Sequence, residues 1–378
     1  MTEVLPGLGT ACAGTGPPLW LGGEPERTAV LPAGTAAVVT TSGSTGYPKS
    51  VVLSAAALRA SAEATAARIG EGSWVLALEP SYVAGLQVLV RSILAGTTPT
   101  VVPPSFAPSE FADAAARIPA PRYTSLVPAQ VVRLLDAADH DGGVAQALRS
   151  FEAILVGGQA LPPAVAERAQ AAGARIVRTY GSSETSGGCV YDGVPLDGVS
   201  VRVVDGEVHL AGPMLASGYL DGDVRAAETF VTDGDGRRWY RTGDAGSFDG
   251  TLRITGRRDN VIVSGGVNIS LDRVERAVRT VPGLEQAVVV PVLDERWGQA
   301  SMIVVAEADL GAGPDVDVRA VSARFADARA AARAAVAAEL GPPARPRGIR
   351  ALDTIPLLPS GKPDRRALAA LLARDAGS

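Results

Sequence analysis

The chain has 378 residues, 47% of them hydrophobic and 20% charged, which is too much apolar side chain for one ordinary core and excludes a disordered polymer. A formal charge of −5 with no long Lys/Arg block gives no electrostatic ground for nucleic-acid binding. Cys12 and Cys189 lack a CxxC partner or a nearby histidine, and His140 and His209 read as turn and strand residues, so zinc, disulfide and Ser-His-Asp or Cys-His chemistry are all disfavoured and a reducing cytoplasm is expected.

In chain order, "AAVVTTSG" reads as a buried strand entering a Gly/Ser/Thr loop, and "LSAAALRASAEATAARIG" as a helix capped by Ser54. Next come a strand "SWVLALEP", a helix "GLQVLVRSILAG" closed by Gly96, a strand "TPTVVPP" and a helix "AQVVRLLDAAD". A strand "FEAILVGG", a helix "PPAVAERAQAAG" and a strand with loop "RIVRTYGSSE" follow. Strands alternating with helices predict a mostly parallel sheet covered on both faces, with ligand loops at the strand carboxyl ends. From about Val199 the texture turns to short antiparallel strands, "VSVRVVDGEVHLAG", "RWYRTGD" and "TLRITGR". The expected architecture is α/β: a large N-terminal domain over 1–258 with a small antiparallel β subdomain, then a small mobile α+β C-terminal domain over 259–378. No basic-then-apolar leader opens the chain, and no run reaches the roughly 18 apolar residues of a membrane span.

The stretch "TTSGSTGYPKS" (40–50) suits an anion: glycines free the backbone N–H groups, hydroxyls add donors, a helix start is expected to follow, and Lys49 brings a charge. It is not a Walker loop, because Pro48 stands directly before Lys49. Taken alone it reads equally well as a flexible turn.

Its companions decide between the two. "TTSGSTGYPKSVVLS", "VGGQAL" (156–161), "YGSSET" (180–185), "YRTGD" (240–244), "GRRDNVIVSGGVNIS" (256–270) and "PSGKPDRRAL" (359–368) resemble, in family order, the signatures of the acyl-adenylate-forming superfamily, the AMP-dependent synthetases and ligases. Within it, "AGLQVLVRSILAG" and "YGSSETSGGCVYDGVPLDGV" are most similar to the short-form o-succinylbenzoate–CoA ligases of menaquinone biosynthesis.

The resemblance implies two half-reactions: a carboxylate attacks the α-phosphorus of ATP to give an acyl-adenylate and pyrophosphate, and the thiol of coenzyme A then displaces AMP. It implies that Thr41, Ser42, Gly43, Ser44, Thr45, Gly46 and Lys49 cradle the β- and γ-phosphates. Glu184 would hold Mg2+, with Ser183 at the family's Thr position, although "SSET" read alone suits a helix cap. Gly157, Gly158, Gln159, Tyr180 and Gly181 would frame the adenine, while Asp244 and Arg257 would meet the ribose, a carboxylate being acceptor-only and matched to a diol. Lys362 would bridge the two anions of the first half-reaction, Asp259 would be the hinge, and Ser264, Gly265 and Gly266 would line the CoA tunnel. Read singly, Asp244 is a turn residue and Lys362 a surface lysine.

Candidates for the acyl pocket are Ser81, Tyr82, Gly85, Gln87, Ser182 and Gly187, with Arg91 or Arg122 for a second carboxylate, although a helix-borne Arg91 is ordinarily exposed. The partners expected are a small-molecule carboxylic acid and CoA, with a carrier-protein thiol as the alternative acceptor. A homodimer is left open, and neither nucleic acid nor membrane is expected. The chain departs from the family pattern in its abbreviated start, in Tyr82 where many relatives have His, in Ser50 for Gly and in Asn260 for Asp.

Overall fold

The computed structural model describes residues 4–23, 30–41, 49–220, 224–310, 318–358 and 362–376. Two compact units emerge: Met1–Leu161, Val165–Thr242 and Ser247–Arg253 form one, and Pro162–Ala164, Gly243–Gly246 and Ile254–Ser378 the other. The single strand Arg238–Phe248 supplies residues to both.

The first unit is built on a seven-stranded sheet. In spatial order it runs Val194–Pro195, Gly187–Tyr191, Ile176–Ser182, Ala153–Val156, Arg122–Leu126, Ser73–Leu76 and Thr100–Val101. The last five are parallel, as the alternation of strands and helices predicts. Their apolar side chains alternate between two cores, as a period of two requires. Trp74, Leu76, Tyr123 and Leu155 point to one face, where Leu58, Leu86 and Leu89 of the helices Ala55–Ile69 and Val83–Leu94 pack. Val75, Ile154 and Val156 point to the other, against Phe111, Leu134, Leu148 and Phe151. Ser54 caps the Ala55–Ile69 helix, its Oγ accepting the Ala57 N–H at 3.1 Å, a contact of about 1 kcal/mol.

Two expectations need correction. The "AAVVTT" strand, Thr35–Thr41, is not in the parallel sheet; it lies in a four-stranded sheet between Leu19–Leu21 and Lys49–Ser54, antiparallel to the latter. Lys49 therefore opens a strand, not the expected helix. "KSVVLS" centres on the β-branched pair Val51 and Val52, with the alanine-rich helix former only beyond Ser54, so the backbone pairs before it coils. The sequence pattern also does not announce the helices Val4–Cys12, Pro108–Arg117, Gly142–Ser150 and Val224–Thr229, or the strand Arg122–Leu126. "RYTSL" is half polar, yet Thr124 and Ser125 are buried, with the Thr124 hydroxyl satisfied by the Val75 carbonyl at 3.0 Å.

In the second unit, a five-stranded sheet orders Val267–Ser270, Val261–Ser264, Gly298–Ala306 and Val288–Asp294, with Gly348–Leu352 parallel to Gly298–Ala306. Val289 and Ile303 face the helix Leu271–Val278 through Val274 and Val278, whereas Val288, Val290 and Val304 face Leu368 and Leu372 of the helix Arg365–Ala376. Buried Glu275 ties these layers together: it accepts the Val289 N–H at 2.8 Å and pairs with Arg279 at 2.9 Å and Arg365 at 2.8 Å. Among the described residues no helix is long and apolar enough to cross a membrane.

Candidate functional site

The strand Ile176–Ser182 ends in a single tight turn, Ser183–Thr185, before the chain returns as Gly187–Tyr191. Thr185 holds the turn closed: its Oγ1 accepts the Ser182 N–H at 2.8 Å and lies 2.7 Å from the Gly187 carbonyl. Ser186 is left-handed at φ 51° and its Oγ donates to the Met214 carbonyl at 2.8 Å, while its own carbonyl accepts from Ser61 and from Gln87 Nε2. Gly181 must be glycine, since a Cβ there would lie 2.1 Å from the Gly187 carbonyl oxygen. This bracing buries Glu184, only 4% exposed, in the wall of the site.

Glu184 does not stand alone. Lys49 Nζ is 2.8 Å from its Oε1, and the Tyr219 hydroxyl donates to the same oxygen at 2.8 Å. Burial alone would raise the Glu184 pKa; the Lys49 charge, then the hydrogen bonds from Lys49 and Tyr219, outweigh it and hold the carboxyl below its ordinary value. The geometry therefore joins Lys49 and Glu184, named separately by the sequence, and adds Tyr219, which the sequence reading missed. The signal lay in "SGYL", where a lone aromatic on a two-residue strand carries no motif of its own. Ser183 is buried beside Glu184, and Thr41 contacts the Lys49 carbonyl at 3.4 Å. Ser42, Gly43, Ser44, Thr45 and Gly46 lie outside the described residues.

The adenine candidates are on neighbouring strand ends. Gly157 donates its N–H to the Leu126 carbonyl at 3.3 Å, Gly158 has φ 81°, and Gln159 and Tyr180 are half-buried. Of the acyl-pocket candidates, Ser81 and Tyr82 are half-exposed just before the helix Val83–Leu94, and burial, then Glu79, raises the Tyr82 pKa. Gly85 is packed closely, its Cβ position 2.3 Å from the Glu79 carbonyl oxygen, so no larger residue fits there. Gln87 is spent on the Leu58 and Ser186 carbonyls through Nε2, but its Oε1 is buried without a partner. Gly187 sits against it, the Cβ position 3.2 Å from Gln87 Cγ, and Ser182 donates to the Tyr240 hydroxyl at 3.4 Å.

One helical turn past Gln87 comes Arg91, and the expectation of an exposed side chain is wrong. It is 7% exposed, with its guanidinium 5.0 Å from the Trp74 ring and within 3.3 Å of Thr65 Oγ1 and 3.5 Å of the Tyr191 hydroxyl. Its Nε is buried without a partner, and among the described residues no carboxylate pairs with it. Burial lowers its pKa, with Tyr191 opposing. The helix is buried along most of its length, so a cation that a surface helix would send to water points inward. Arg122 instead donates to the Ile118 carbonyl at 2.8 Å, within the fold.

The second unit gathers its own group. Arg257 grips Asp259 through two bonds, Nη2–Oδ2 at 2.9 Å and Nε–Oδ1 at 3.0 Å, and reaches Asp244 Oδ1 at 3.2 Å. Asn260 Nδ2 donates to Asp272 Oδ1 at 2.7 Å, which explains the departure from Asp: a carboxylate there would repel Asp272. The Lys362 side chain is exposed, yet surrounding atoms partly desolvate its ammonium and Arg257 repels it, together holding its pKa below the usual lysine value against the pull of Asp244. Ser264 is buried, Gly265 at φ 56° stacks its backbone on Trp297, and Gly266 has φ 82°. Neither cysteine offers a reactive thiol, burial pushing Cys189 up to about 12.

A carboxylate buried against a lysine, glycine-rich strand ends beside it and a chain split into a large and a small unit are the outline of an anion-handling α/β enzyme. The AMP-binding enzyme family matches residues 11–220, and the AMP-binding enzyme C-terminal domain matches 273–362. The chain belongs to the AMP-binding enzyme family. It is 40% identical over 350 residues to the probable 2-succinylbenzoate–CoA ligase of Mycobacterium tuberculosis (strain ATCC 25618 / H37Rv), covering 90% of this chain and 85% of that protein. To the 2-succinylbenzoate–CoA ligase of Escherichia coli (strain K12) it is 33% identical, spanning 70% of this chain and 57% of that one. Among solved structures it resembles the amide bond synthetase McbA from Marinactinospora thermotolerans (TM-score 0.72, 27% identity, 95% and 76% of the chains). It also resembles wild-type E. coli MenE with a bound m-phenylether-linked analogue of OSB-AMS (TM-score 0.64, 26% identity, 99% and 79%).

Proposed function

We propose that this chain is an ATP-dependent acid–thiol ligase that converts o-succinylbenzoate to o-succinylbenzoyl-CoA through an acyl-adenylate, working in the cytoplasm. The observation that carries the substrate assignment is Arg91. A buried guanidinium that has no carboxylate among the described residues, and whose Nε has no partner, is a costly arrangement unless a ligand supplies the anion. An o-succinylbenzoate has two carboxylates: one reacts, and the other needs such a partner. The M. tuberculosis and E. coli relatives named for this reaction support the same class.

Within this reading, Lys49 and the loop ahead of it bind the β- and γ-phosphates, and Gly157, Gly158, Gln159, Tyr180 and Gly181 seat the adenine. Asp244 and Arg257 take the ribose hydroxyls. Lys362 draws the substrate carboxylate and the α-phosphate together and offsets the charge that builds up as they meet. Desolvation and the neighbouring Arg257 lower its pKa, and Asp244 opposes them. Asp259 is the hinge at the boundary of domains 1–258 and 259–378, and Ser264, Gly265 and Gly266 line the thiol's path.

Glu184 with the Ser183 hydroxyl fits Mg2+, which takes one or two protein carboxylates and otherwise phosphate and water oxygens. Among the described residues no cluster of three or more acidic, His or Cys ligands exists to make a self-sufficient metal cage. When bound, the ion supplies charge neutralisation to the triphosphate.

A second reading keeps the adenylate but changes the acceptor, to a carrier-protein thiol or to an amine; the likeness to an amide bond synthetase over 95% of this chain favours weighing it. ATP/pyrophosphate exchange over aromatic, aliphatic and amino-acid carboxylates, followed by product analysis with CoA, a carrier protein or a primary amine, separates the readings. Exchange that is fastest with o-succinylbenzoate and a thioester formed with CoA are expected; product only with another acceptor refutes the CoA assignment.

A further inference from the structure

Tyr219 has a place in the site that no motif gives it. Its strand, Gly218–Tyr219, lies on the edge of the four-stranded sheet, antiparallel to Lys49–Ser54, with Tyr219 opposite Val51. Ser217 and Leu220 extend the pairing through the Val52 and Ser50 carbonyls, both at 2.9 Å. Lys49 and Val51 are two apart on one strand and so share a face, which puts the Lys49 ammonium 5.2 Å from the Tyr219 ring centroid and 3.3 Å from its hydroxyl. The ring is packed on Phe230 (centroids 5.8 Å apart), and Phe230 on Tyr240 (5.5 Å). Tyr240 takes the Ser182 hydroxyl at 3.4 Å and Tyr219 donates to Glu184 Oε1 at 2.8 Å, so one aromatic ladder braces both ends of 182–184.

The two donors on Oε1 differ in kind. Lys49 hangs on a flexible four-carbon stem and is 34% exposed, whereas Tyr219 has two side-chain torsions and a stacked ring. Any anion that recruits Lys49 takes away the one cation paired with this buried carboxylate among the described residues. We propose that Tyr219 is a positioning residue: it is the fixed donor that keeps the Glu184 carboxylate oriented for a divalent cation when the Lys49 ammonium transfers to nucleotide phosphates. This rests on the nucleotide reading given above. Lys49 and Glu184 then hold each other until nucleotide binds, and the hydroxyl of Tyr219 carries the carboxylate through the exchange.

The test uses the full chain, its Tyr219→Phe and Lys49→Met variants, α,β-methylene ATP and Mn2+. Electron paramagnetic resonance reads the metal, and calorimetry reads the nucleotide without metal. Tyr219→Phe keeps the ring, the strand pairing and the Phe230 contact, and loses one hydrogen bond to a charged group. The expected result is ~10-fold weaker Mn2+ binding to the enzyme–nucleotide complex, with metal-free nucleotide affinity within ~2-fold of wild type. The half-saturating Mg2+ concentration for pyrophosphate exchange should rise in parallel, with the rate at saturating Mg2+ nearly unchanged. Lys49→Met should give the converse, weakening the nucleotide more than the metal. Mn2+ affinity within ~2-fold of wild type in Tyr219→Phe overturns the proposal, as does an equal loss of metal and nucleotide affinity together with a lowered melting temperature. Wild-type protein that binds no nucleotide overturns the underlying reading instead.

Discussion

Replacing Arg91 with methionine should cut activity without a matching loss of stability. Methionine matches the arginine stem in length and needs no hydrogen bonds. The folded protein loses two long contacts, at 3.3 and 3.5 Å, and the stacking on Trp74 at 5.0 Å. The acceptors are not orphaned, because Thr65 Oγ1 and the Tyr191 hydroxyl already bond each other at 2.9 Å. Removing an unpartnered buried Nε and an uncompensated charge recovers about 1–3 kcal/mol, so urea unfolding should show a change within ~1 kcal/mol of zero or a gain. Binding is another matter. Truncating one side of a buried charge pair between protein and ligand costs about 2–5 kcal/mol, which is roughly 30- to 4,000-fold. The value of kcat/KM for o-succinylbenzoate, from coupled pyrophosphate release, should fall by that factor, while a benzoate lacking the second carboxylate should lose less than ~3-fold. Equal losses on both substrates, or a stability drop of more than ~3 kcal/mol, would refute the reasoning and return Arg91 to a structural role.

Lys362→Ala should slow ATP/pyrophosphate exchange by at least ~100-fold, about 2.7 kcal/mol of transition-state stabilisation, yet leave thioester formation from added acyl-adenylate and CoA within a few-fold of wild type. Exchange within ~10-fold of wild type would exclude the role given to it. His209 is buried, 5% exposed, and burial holds its pKa below the ordinary value with Glu207 opposing. The unfolded chain therefore binds that proton more readily, and stability rises with pH through the region just below the unfolded value of about 6.5. Lowering the pH from 7 through that region should erode stability with a slope of at most about 1.4 kcal/mol per pH unit from this group, and His209→Gln should flatten it. An unchanged slope in the variant would show that His209 titrates alike in both states. Gly181→Ala would set a Cβ 2.1 Å from a backbone oxygen and should destabilise the hairpin by about 2 kcal/mol or more, read as a lower urea midpoint; a neutral result would mean that the strand pairing yields there.

The sequence by itself determined the class of fold and the order of the functional segments. Alternating apolar strands and helices specify a parallel sheet with two faces, and Val75 and Leu76 do pack on opposite cores. Glycines also announced themselves, because positions such as Gly181 and Gly158 tolerate no Cβ or need a positive φ that only glycine adopts freely. Tertiary structure decided which polar side chains meet. Lys49, Glu184 and Tyr219 are separated by up to 170 residues, and no local period relates them. Arg91 is on a helix whose pattern alone predicts an exposed cation; burial by Trp74, Thr65 and Tyr191 from three other elements turns it inward. The "AAVVTT" strand went to the wrong sheet for the same reason. A local apolar run fixes that a strand forms, but the partner that satisfies its N–H and C=O groups is chosen by residues remote in the chain.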